Sequence, residues 1–423
     1  MPGPLHGLTV LDLTRVLAGP WAVQSFGDLG AEVIKIERPH VGDDSRHWGP
    51  PFLKDADGRE TGESAYYIGT NRNKRSVALD MSKPAGQELV RKLAERADIV
   101  IENYKVGDLA RYGLDYASLA KINPRLIYCS ITGYGQDGPY AARPGYDYLF
   151  QGVGGIMSVT GEADDQPGGG PQRVGVPLVD VFTAMYAAVS VLAAVHHRDK
   201  TGEGQHIDLA LFDCVIALGT GQILNHLSTD RVPRRTGNDS PYIAPYAVLP
   251  CKDGQVILAS ANQAMFESMC RAIDRPEMAR DPRFLNNAGR MAHRDELYAE
   301  LGKVFRTRTG AEWEDIMVAA NVACGPINTY EQVVDHPQAK HRGAIVKLPH
   351  ALGVDVPSVA SPMRFSKTPV EYRNAPPLLG EHTREVLCET LGLDGTAIER
   401  LKVQGVIACA EIPQVKNRGQ NHV

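Results

Sequence analysis

Short apolar runs alternate with helical patterns along the first 130 residues of the chain. Buried strands are predicted at residues 8–13, 32–37, 76–80, 98–103 and 126–131, where apolar and β-branched residues dominate. Helices are predicted between them, at residues 21–29 and 83–96. Strands that alternate with helices form a parallel sheet covered on both faces, so the pattern predicts an α/β fold. Because ligands of such sheets bind at the carboxyl ends of the strands, the residues after each strand are the candidates for chemistry.

The later part of the chain has a less regular pattern. Residues 160–176 are rich in Gly, Asp and Pro and predict a loop, whereas residues 181–197 are apolar on almost every side and predict a buried helix. A strand is predicted at residues 207–211, a hairpin at 248–260 around Asp253-Gly254, a helix at 383–390 and a frayed tail after Glu411.

Composition excludes several classes of protein. The 423 residues carry 45 Lys and Arg against 50 Asp and Glu, a net charge of −5, and no basic stripe that would indicate a nucleic-acid surface. The longest apolar run, residues 184–195, is shorter than the about 20 residues that span a bilayer, and the first six residues do not resemble a secretory signal. Seven scattered cysteines without a CxxC pair, and histidines without HExxH, predict neither disulfides nor a metal site. A cytoplasmic protein without membrane or nucleic-acid partners is therefore expected.

Asp180 is the most informative single residue, because it opens the apolar helix. One interpretation is a helix N-cap, since Asp accepts hydrogen bonds from the first turn. The other is a carboxylate nucleophile whose charge the helix N-terminus favours. The two interpretations are compatible. Asp147 is likewise either a turn or cap residue or a support for catalysis.

Polar and basic residues cluster around the strand ends. Arg38 and Asn103-Tyr104 follow predicted strands, a basic segment precedes the third, and Arg111 and Arg143 lie in later connections. Each basic residue alone is typical of a solvated surface, but together they could bind phosphates. The members of the basic segment are Arg72, Lys74 and Arg75. The chain has neither G-x-G-x-x-G after the first strand nor a P-loop, which disfavours nicotinamide dinucleotides and nucleoside triphosphates.

A collinear set of motifs resembles the class III CoA-transferases, the CaiB/BaiF family that includes formyl-CoA transferase. The motifs are residues 11–20 (LDLTRVLAGP), 30–39 (GAEVIKIERP), 73–76 (NKRS), 102–104 (ENY), 132–135 (TGYG), Asp180, 200–205 (KTGEGQ) and 377–383 (PLLGEHT). They extend over nearly the whole chain.

The resemblance implies a fold and an assembly. It implies a Rossmann-like large domain with a parallel sheet made from both chain ends, a smaller α+β domain between them, and two ring-like subunits interlocked as a homodimer. Residues 1–210 are then the first part of the large CoA-binding domain and 211–245 a linker. Residues 246–330 are the small domain, and 331–423 a linker and a segment that returns to the large domain.

The resemblance also implies the chemistry. Asp180 attacks an acyl-CoA thioester to give an acyl-aspartyl anhydride, and the CoA thiolate then forms an aspartyl-CoA thioester that the acceptor acid resolves. The expected CoA-binding residues are Arg38, Asn103, Tyr104, Arg111, Arg143 and the basic segment Arg72, Lys74 and Arg75, with Arg75 at the 3′-phosphate. No metal and no cofactor beyond the CoA thioester substrate are expected.

Two departures from related branches narrow the substrate. Leu17 stands where the oxalate-specific enzymes have glutamine, and residues 145–147 read Gly-Tyr-Asp where the racemases have Gly-His-Asp. Residues 48–52 and 324–328 resemble the succinate/glutarate CoA-transferases. A dicarboxylate needs a cation for its second carboxylate, for which Arg15 and Arg46 are the candidates. Val16, Leu17, Tyr146 and Asp147 complete the expected substrate-binding set.

The alternatives to a transferase are a racemase-like or isomerase activity on acyl-CoA and a non-catalytic CoA-binding subunit.

Overall fold

The computed structural model describes residues 2–410, so the tail predicted to fray lies outside the described residues. The strands are β1 (Thr9–Leu13), β2 (Glu32–Glu37), β3 (Phe52–Lys54), β4 (Glu60–Ser64), β5 (Arg75–Leu79), β6 (Ile99–Glu102), β7 (Ile127–Thr132), β8 (Gln205–Ala210), β9 (Tyr246–Cys251), β10 (Gly254–Ala259), β11 (Ala323–Pro326), β12 (Ile345–Pro349), β13 (Asp355–Val359) and β14 (Ile407–Ala408). The helices are α1 (Ala18–Asp28), α2 (Ala65–Ile68), α3 (Pro84–Arg96), α4 (Tyr116–Leu119), α5 (Asp147–Val153), α6 (Ile156–Val159), α7 (Leu178–Thr201), α8 (Leu211–Leu218), α9 (Thr220–Thr229), α10 (Gln263–Ala272), α11 (Asn287–Ala292), α12 (Arg294–Phe305), α13 (Gly310–Ala319), α14 (Tyr330–Asp335), α15 (Pro337–His341), α16 (Thr383–Leu391) and α17 (Gly395–Val403).

A seven-stranded sheet organises the larger of two compact units. Its order is β14-β5-β2-β1-β6-β7-β8, and all neighbours are parallel except β14, which pairs antiparallel with β5. The strand order reverses at β1, whose neighbours are β2 and β6. The predicted α/β fold with a largely parallel sheet is therefore confirmed.

Helices cover both faces of this sheet, because its central strands are apolar on both sides. On one face, α3, α16 and α17 bury a continuous core that includes Leu11, Ile34, Val100 and Leu387. On the other face, α1 and α7 pack against each other, and α7 also contacts β7 and β8. The unit consists of the described residues up to Gly155, Gly175–Ile223 and residues 338–410.

The smaller unit comprises Ile156–Val174 and Leu224–Pro337. Its antiparallel sheet, β11-β10-β9, packs with helices around a separate core that contains Phe266, Leu297 and Trp313. The predicted hairpin is confirmed, since Cys251 pairs with Gly254 across the turn.

The unit boundaries differ from the expected ones in the loop before α7. That loop was expected within residues 1–210 but groups with the smaller unit, because Arg235 donates hydrogen bonds to the carbonyls of Ser158 and Glu162. Residues 211–223 were expected in a linker. Instead they form α8 and the start of α9 in the larger unit.

Helix α7 is only half buried in the single chain, contrary to the prediction of a buried helix. Val179, Ala184, Ala187 and Val191 are buried, whereas the opposite side exposes four apolar side chains. They are Met185, Tyr186, Val189 and Leu192. By length and composition alone α7 could cross a membrane, but its buried side packs on α1 and the sheet.

Candidate active site

Segments that follow three neighbouring strands line one cleft at the carboxyl edge of the large sheet. Residues 15–18 come from the turn after β1, residues 103–106 from the loop after β6, and residues 131–133 from the end of β7. Residues 141–146 and Asp180 are also part of the lining. The strand order reverses at β1, and open α/β sheets bind ligands at such a reversal.

Asp180 is the third residue of α7, and Pro177 occupies the N-cap position. The N-cap interpretation of Asp180 is therefore wrong. Asp147 caps the helix instead, because its Oδ1 accepts hydrogen bonds from the backbone N–H groups of Val179 (2.7 Å) and Asp180 (3.2 Å). Its Oδ2 accepts from Gln151 Nε2 at 2.7 Å. Asp147 thus fixes the backbone from which the Asp180 side chain extends.

The Asp180 carboxyl is poised between its neutral and ionised forms. Burial is the larger cause and the nearby charge of Asp147 the smaller one, and together they raise its pKa to about 7. Within residues 2–410, no hydrogen bond or ion pair engages its carboxylate oxygens. Its position in the first turn of α7 favours the anion, so the group can act as a nucleophile at neutral and alkaline pH.

Tyr66, which lies near Asp180, and its neighbour Trp48 were not assigned to the site from the sequence. Burial raises the pKa of Tyr66 to about 12, with further contributions from the charges of Asp180 and Asp147, which places the phenol near both carboxylates. The ring of Trp48 contacts that of Tyr66 edge to face, at 5.0 Å between centroids. The only indication in the sequence was that Trp48 belongs to a segment typical of one branch of the family. The contact between the two aromatic rings could not be predicted, because 17 residues and the β3–β4 hairpin separate them in the chain.

The turn between β1 and α1 brings backbone groups into the cleft. Val16 has a φ of 72°, Leu17 is buried at the N-cap position, and no side chain caps α1. A Cβ on Gly19 would lie 2.4 Å from the Thr14 side chain, so glycine is required for the first turn of α1 to approach β1. The cleft is therefore lined by the uncapped start of a helix, which favours negative charge.

Asn103 and Tyr104 hold Arg15 in the lining of the cleft. Asn103 Oδ1 accepts from the Arg15 N–H at 2.9 Å, and its Nδ2 donates to the Arg15 carbonyl at 2.7 Å. The Arg15 guanidinium lies over the Tyr104 ring, 4.8 Å from its centroid, and pairs with Asp44 at 3.2 Å. All three residues line the cleft.

A second depression continues along the same edge. It is lined by Arg38 after β2, residues 80–82 after β5, and Tyr112. Arg15, Asp44 and Tyr104 line both depressions, so the two form one groove from Arg38 to Asp180. The groove is lined by residues at or after the carboxyl ends of five parallel strands, β5, β2, β1, β6 and β7.

Three predicted ligand-binding cations are buried in ion pairs away from the groove. Lys74 donates to Asp12 at 3.0 Å, and Arg72 forms two hydrogen bonds with Asp28. Arg46, a candidate for the acceptor's second carboxylate, is bidentate on Glu37 at 2.8 Å and also pairs with Glu63. Because all three side chains are saturated by protein partners, their predicted contacts with substrate are corrected to structural roles.

Arg75 is also corrected. It is the first residue of β5, at the amino edge of the sheet, and it pairs with Glu32, Glu385 and Glu389. The parallel strands therefore carry it to the edge opposite the groove, so it cannot meet a 3′-phosphate bound there.

The remaining predicted residues lie at or near the groove. Arg143 lines the cleft and stacks on the Tyr140 ring at 3.6 Å, and Tyr146 lines it with 63% of its surface exposed. Arg111 is exposed and pairs with Asp108 at 2.6 Å, outside the lining of the two depressions. Among residues 2–410, no three His, Cys, Asp or Glu side chains are placed to hold a metal ion.

The fold and the cleft together define an α/β enzyme with a carboxylate at the carboxyl edge of its sheet. The chain belongs to CoA-transferase family III, which it matches over residues 5–383. It is 46% identical over 399 residues to a succinate–glutarate CoA-transferase of Agrobacterium fabrum, covering 93% of this chain and 97% of the relative. It is 39% identical over 406 residues to the human succinyl-CoA:glutarate CoA-transferase, covering 96% of this chain and 90% of the relative.

Solved structures support the same assignment. A CaiB/BaiF family protein from Brucella suis is 44% identical and superposes with a TM-score of 0.81, covering 92% of this chain and all of the other. A Mycobacterium tuberculosis protein is 29% identical, with a TM-score of 0.79 and coverage of 90% and 99%. The protein is thus a CoA-transferase by family, as the sequence motifs indicated.

Proposed function

We propose that the protein transfers CoA from succinyl-CoA to a short dicarboxylic acid such as glutarate, with Asp180 as the nucleophile. The observation that carries the mechanism is the free, half-buried carboxylate of Asp180 in a groove beside an uncapped helix start. The choice of substrates is supported by the relatives named as succinate–glutarate transferases.

The reaction conserves the thioester, so it requires no external energy source. The Asp180 carboxylate attacks the thioester carbonyl, the carbon–sulfur bond breaks, and an anhydride and CoA thiolate result. The thiolate attacks the aspartyl carbonyl, releasing the donor acid and leaving an aspartyl-CoA thioester. The acceptor carboxylate attacks this thioester, the carbon–sulfur bond breaks, and a second anhydride and CoA thiolate result. The thiolate then attacks the acceptor acyl carbon, which releases the new acyl-CoA and the free carboxylate of Asp180.

In this proposal CoA lies along the groove. The adenosine end occupies the depression lined by Arg38 and residues 80–82, and the pantetheine passes Arg15 and Tyr104 towards Asp180. Each tetrahedral intermediate carries an oxyanion. The backbone N–H groups at the uncapped start of α1 are the donors that would form an oxyanion hole for it. Asp147 holds the Asp180 backbone still during these steps.

The second carboxylate of the acceptor requires a cation in the cleft. With Arg46 buried, the cations that line the cleft are Arg15, Lys105 and Arg143. Arg143 stacks on Tyr140 and Arg15 on Tyr104, so both guanidiniums are oriented and accessible to a carboxylate. A dicarboxylate acceptor is thus held by charge at one end, while its other carboxylate attacks the aspartyl-CoA thioester.

Acceptor selectivity tests this assignment. With succinyl-CoA as donor, glutarate should give a kcat/KM about tenfold or more above that of butyrate, since a charge-assisted hydrogen bond contributes about 1.5–3 kcal/mol. Mass spectrometry of the acyl-CoA products measures both rates. Equal rates for glutarate and butyrate would contradict the dicarboxylate substrate. Deuterium exchange at the α-carbon without any acceptor acid would favour a racemase or isomerase instead.

The exposed side of α7 supports a homodimer, which we propose to be interlocked. Met185, Tyr186, Val189 and Leu192 form an apolar face that a second subunit could cover.

Light scattering should show a dimer at micromolar concentration. Val189→Glu should weaken this dimer, because a buried unpaired charge is costly. The matched control is His197→Glu on the same helix. A folded, active wild-type monomer would contradict this proposal.

The cytoplasm is the location we propose, because all seven cysteines are free thiols.

A further inference from the structure

Val16 has a backbone conformation that its side chain disfavours. Six non-glycine residues have a positive φ in the described chain, and five of them are Asn, Asp or His, which tolerate it. Val16, at 72°, is the only β-branched one. Such outliers persist only where the surroundings enforce them, and they concentrate at functional sites. Val16 lies in the lining of the active-site cleft.

Side chains hold the backbone just before Val16. The Thr14 N–H donates to Asp12 Oδ1 at 2.8 Å, and the Thr14 carbonyl accepts from Lys35 Nζ at 2.8 Å. Asn103 then binds both the N–H and the carbonyl of Arg15. Four consecutive backbone groups are therefore fixed before the chain reaches Val16.

Asp43 fixes Val16 itself. Its Oδ1 accepts from the Val16 N–H at 3.0 Å and from the N–H and hydroxyl of Ser45. Its Oδ2 accepts from Lys35 Nζ at 3.0 Å, and both charged side chains are buried. Asp43 is thus a rigid acceptor, held on its other oxygen by the same lysine that binds the Thr14 carbonyl.

We propose that Asp43 is a positioning residue that keeps Val16 in the left-handed conformation and so directs the free N–H groups at the start of α1 into the cleft. Residue 16 controls the direction of the peptide groups that follow, and α1 begins two residues later without a side-chain cap. If Val16 relaxed to a negative φ, those N–H groups would turn away from the thioester carbonyl that Asp180 attacks. This role rests on the proposed transferase mechanism and assigns no substrate contact to Asp43.

A double-mutant cycle tests the coupling between the two residues. Asp43→Ala should lower kcat at least tenfold when residue 16 is valine. In the Val16→Gly background the same substitution should lower kcat less than threefold, because glycine adopts a positive φ without strain. Asp43→Ala should lower thermal stability in both backgrounds, because buried Lys35 then loses the carboxylate that accepts its hydrogen bond at 3.0 Å. Asp43→Asn, which keeps an acceptor for the Val16 N–H, should retain kcat within threefold while losing stability.

An equal fold-loss of kcat in both backgrounds, or an Asp43→Asn variant as slow as Asp43→Ala, would overturn the positioning role. Absence of turnover in the wild type would instead count against the proposed function. A crystal structure of Asp43→Ala provides a readout that needs no turnover. Residue 16 should leave the positive-φ region there, and a Val16 unchanged in that variant would also overturn the proposal.

Discussion

Asp180→Asn is expected to abolish CoA transfer and to leave the fold intact. Asparagine keeps the size of the side chain but is not a nucleophile, so kcat should fall by at least about a thousandfold, as when other enzymes lose a nucleophile. Burial disfavours the ionised form of Asp180 and raises its pKa to about 7. The folded-state pKa therefore lies above the unfolded value of 3.8, so stability falls as the pH rises from 3.8 to about 7, and the full loss remains above pH 7. Thermal stability of the variant at pH 8 should equal or exceed that of the wild type.

Asp213→Asn is a matched control for this substitution. Asp213 is the third residue of α8, as Asp180 is of α7, but it is exposed and does not line the groove. Its variant should keep wild-type turnover. With acyl-CoA and hydroxylamine, the wild type should acquire a mass change on the peptide that contains Asp180. Substantial activity in Asp180→Asn, or a label on another residue such as Asp147, would contradict the covalent mechanism.

The sequence was sufficient to predict the large sheet because its strands are short, apolar and separated by strong helical patterns. Strands predicted at residues 32–37 and 98–103 are observed at Glu32–Glu37 and Ile99–Glu102, and the helix predicted at 83–96 is observed at Pro84–Arg96. Parallel packing then brings the residues after β1, β6 and β7 to one edge. Parallel packing therefore predicted that Asn103 and Tyr104 lie at this edge, whereas Asp180 follows no strand and was assigned to the site only through the family motif.

Which cations face the groove could not be predicted, because that depends on partners distant in sequence. Lys74 and Arg75 are adjacent in the chain, yet their partners differ. Lys74 donates a hydrogen bond to Asp12 in the core, whereas Arg75 forms ion pairs with three glutamates at the edge of the sheet opposite the groove. Arg46 is engaged by Glu37 on β2 and Glu63 on β4. A basic motif identifies the residues but not the carboxylates that neutralise them.

The helix α7 shows a second limit of sequence patterns. Apolar residues on every side of a helix indicate burial, but they do not say whether the same chain provides all of the cover. Here α1 and the sheet cover one side, and Val189 on the other side is 64% exposed. The proposed dimer supplies a physical reason for that exposed face.

Substitution of Asp147 should have the second largest effect on the rate, because this residue caps the helix that carries Asp180. It accepts hydrogen bonds from the Val179 and Asp180 N–H groups, and its charge contributes to the raised pKa of Asp180. Asp147→Ala removes both the cap and the charge. Loss of a cap costs about 0.5–2 kcal/mol of stability. Because the backbone of the nucleophile is then free to shift, kcat should fall by roughly 10–100-fold.

Asp147→Asn separates the cap from the charge. Its amide oxygen can still accept from both N–H groups, so kcat at pH 9 should stay within about threefold of the wild type. Removing the negative charge lowers the pKa of Asp180, because two neighbouring carboxylates disfavour each other's ionisation. In the wild type, kcat/KM should rise with pH through about 7 as Asp180 ionises, and in Asp147→Asn this rise should move to lower pH.

Asn262→Ala is the control for stability, since Asn262 caps α10 by accepting from the Met265 N–H. It should lower stability comparably and leave both kcat and the pH profile unchanged. A pH profile of Asp147→Asn that coincides with that of the wild type would show that Asp147 does not act on the charge of Asp180.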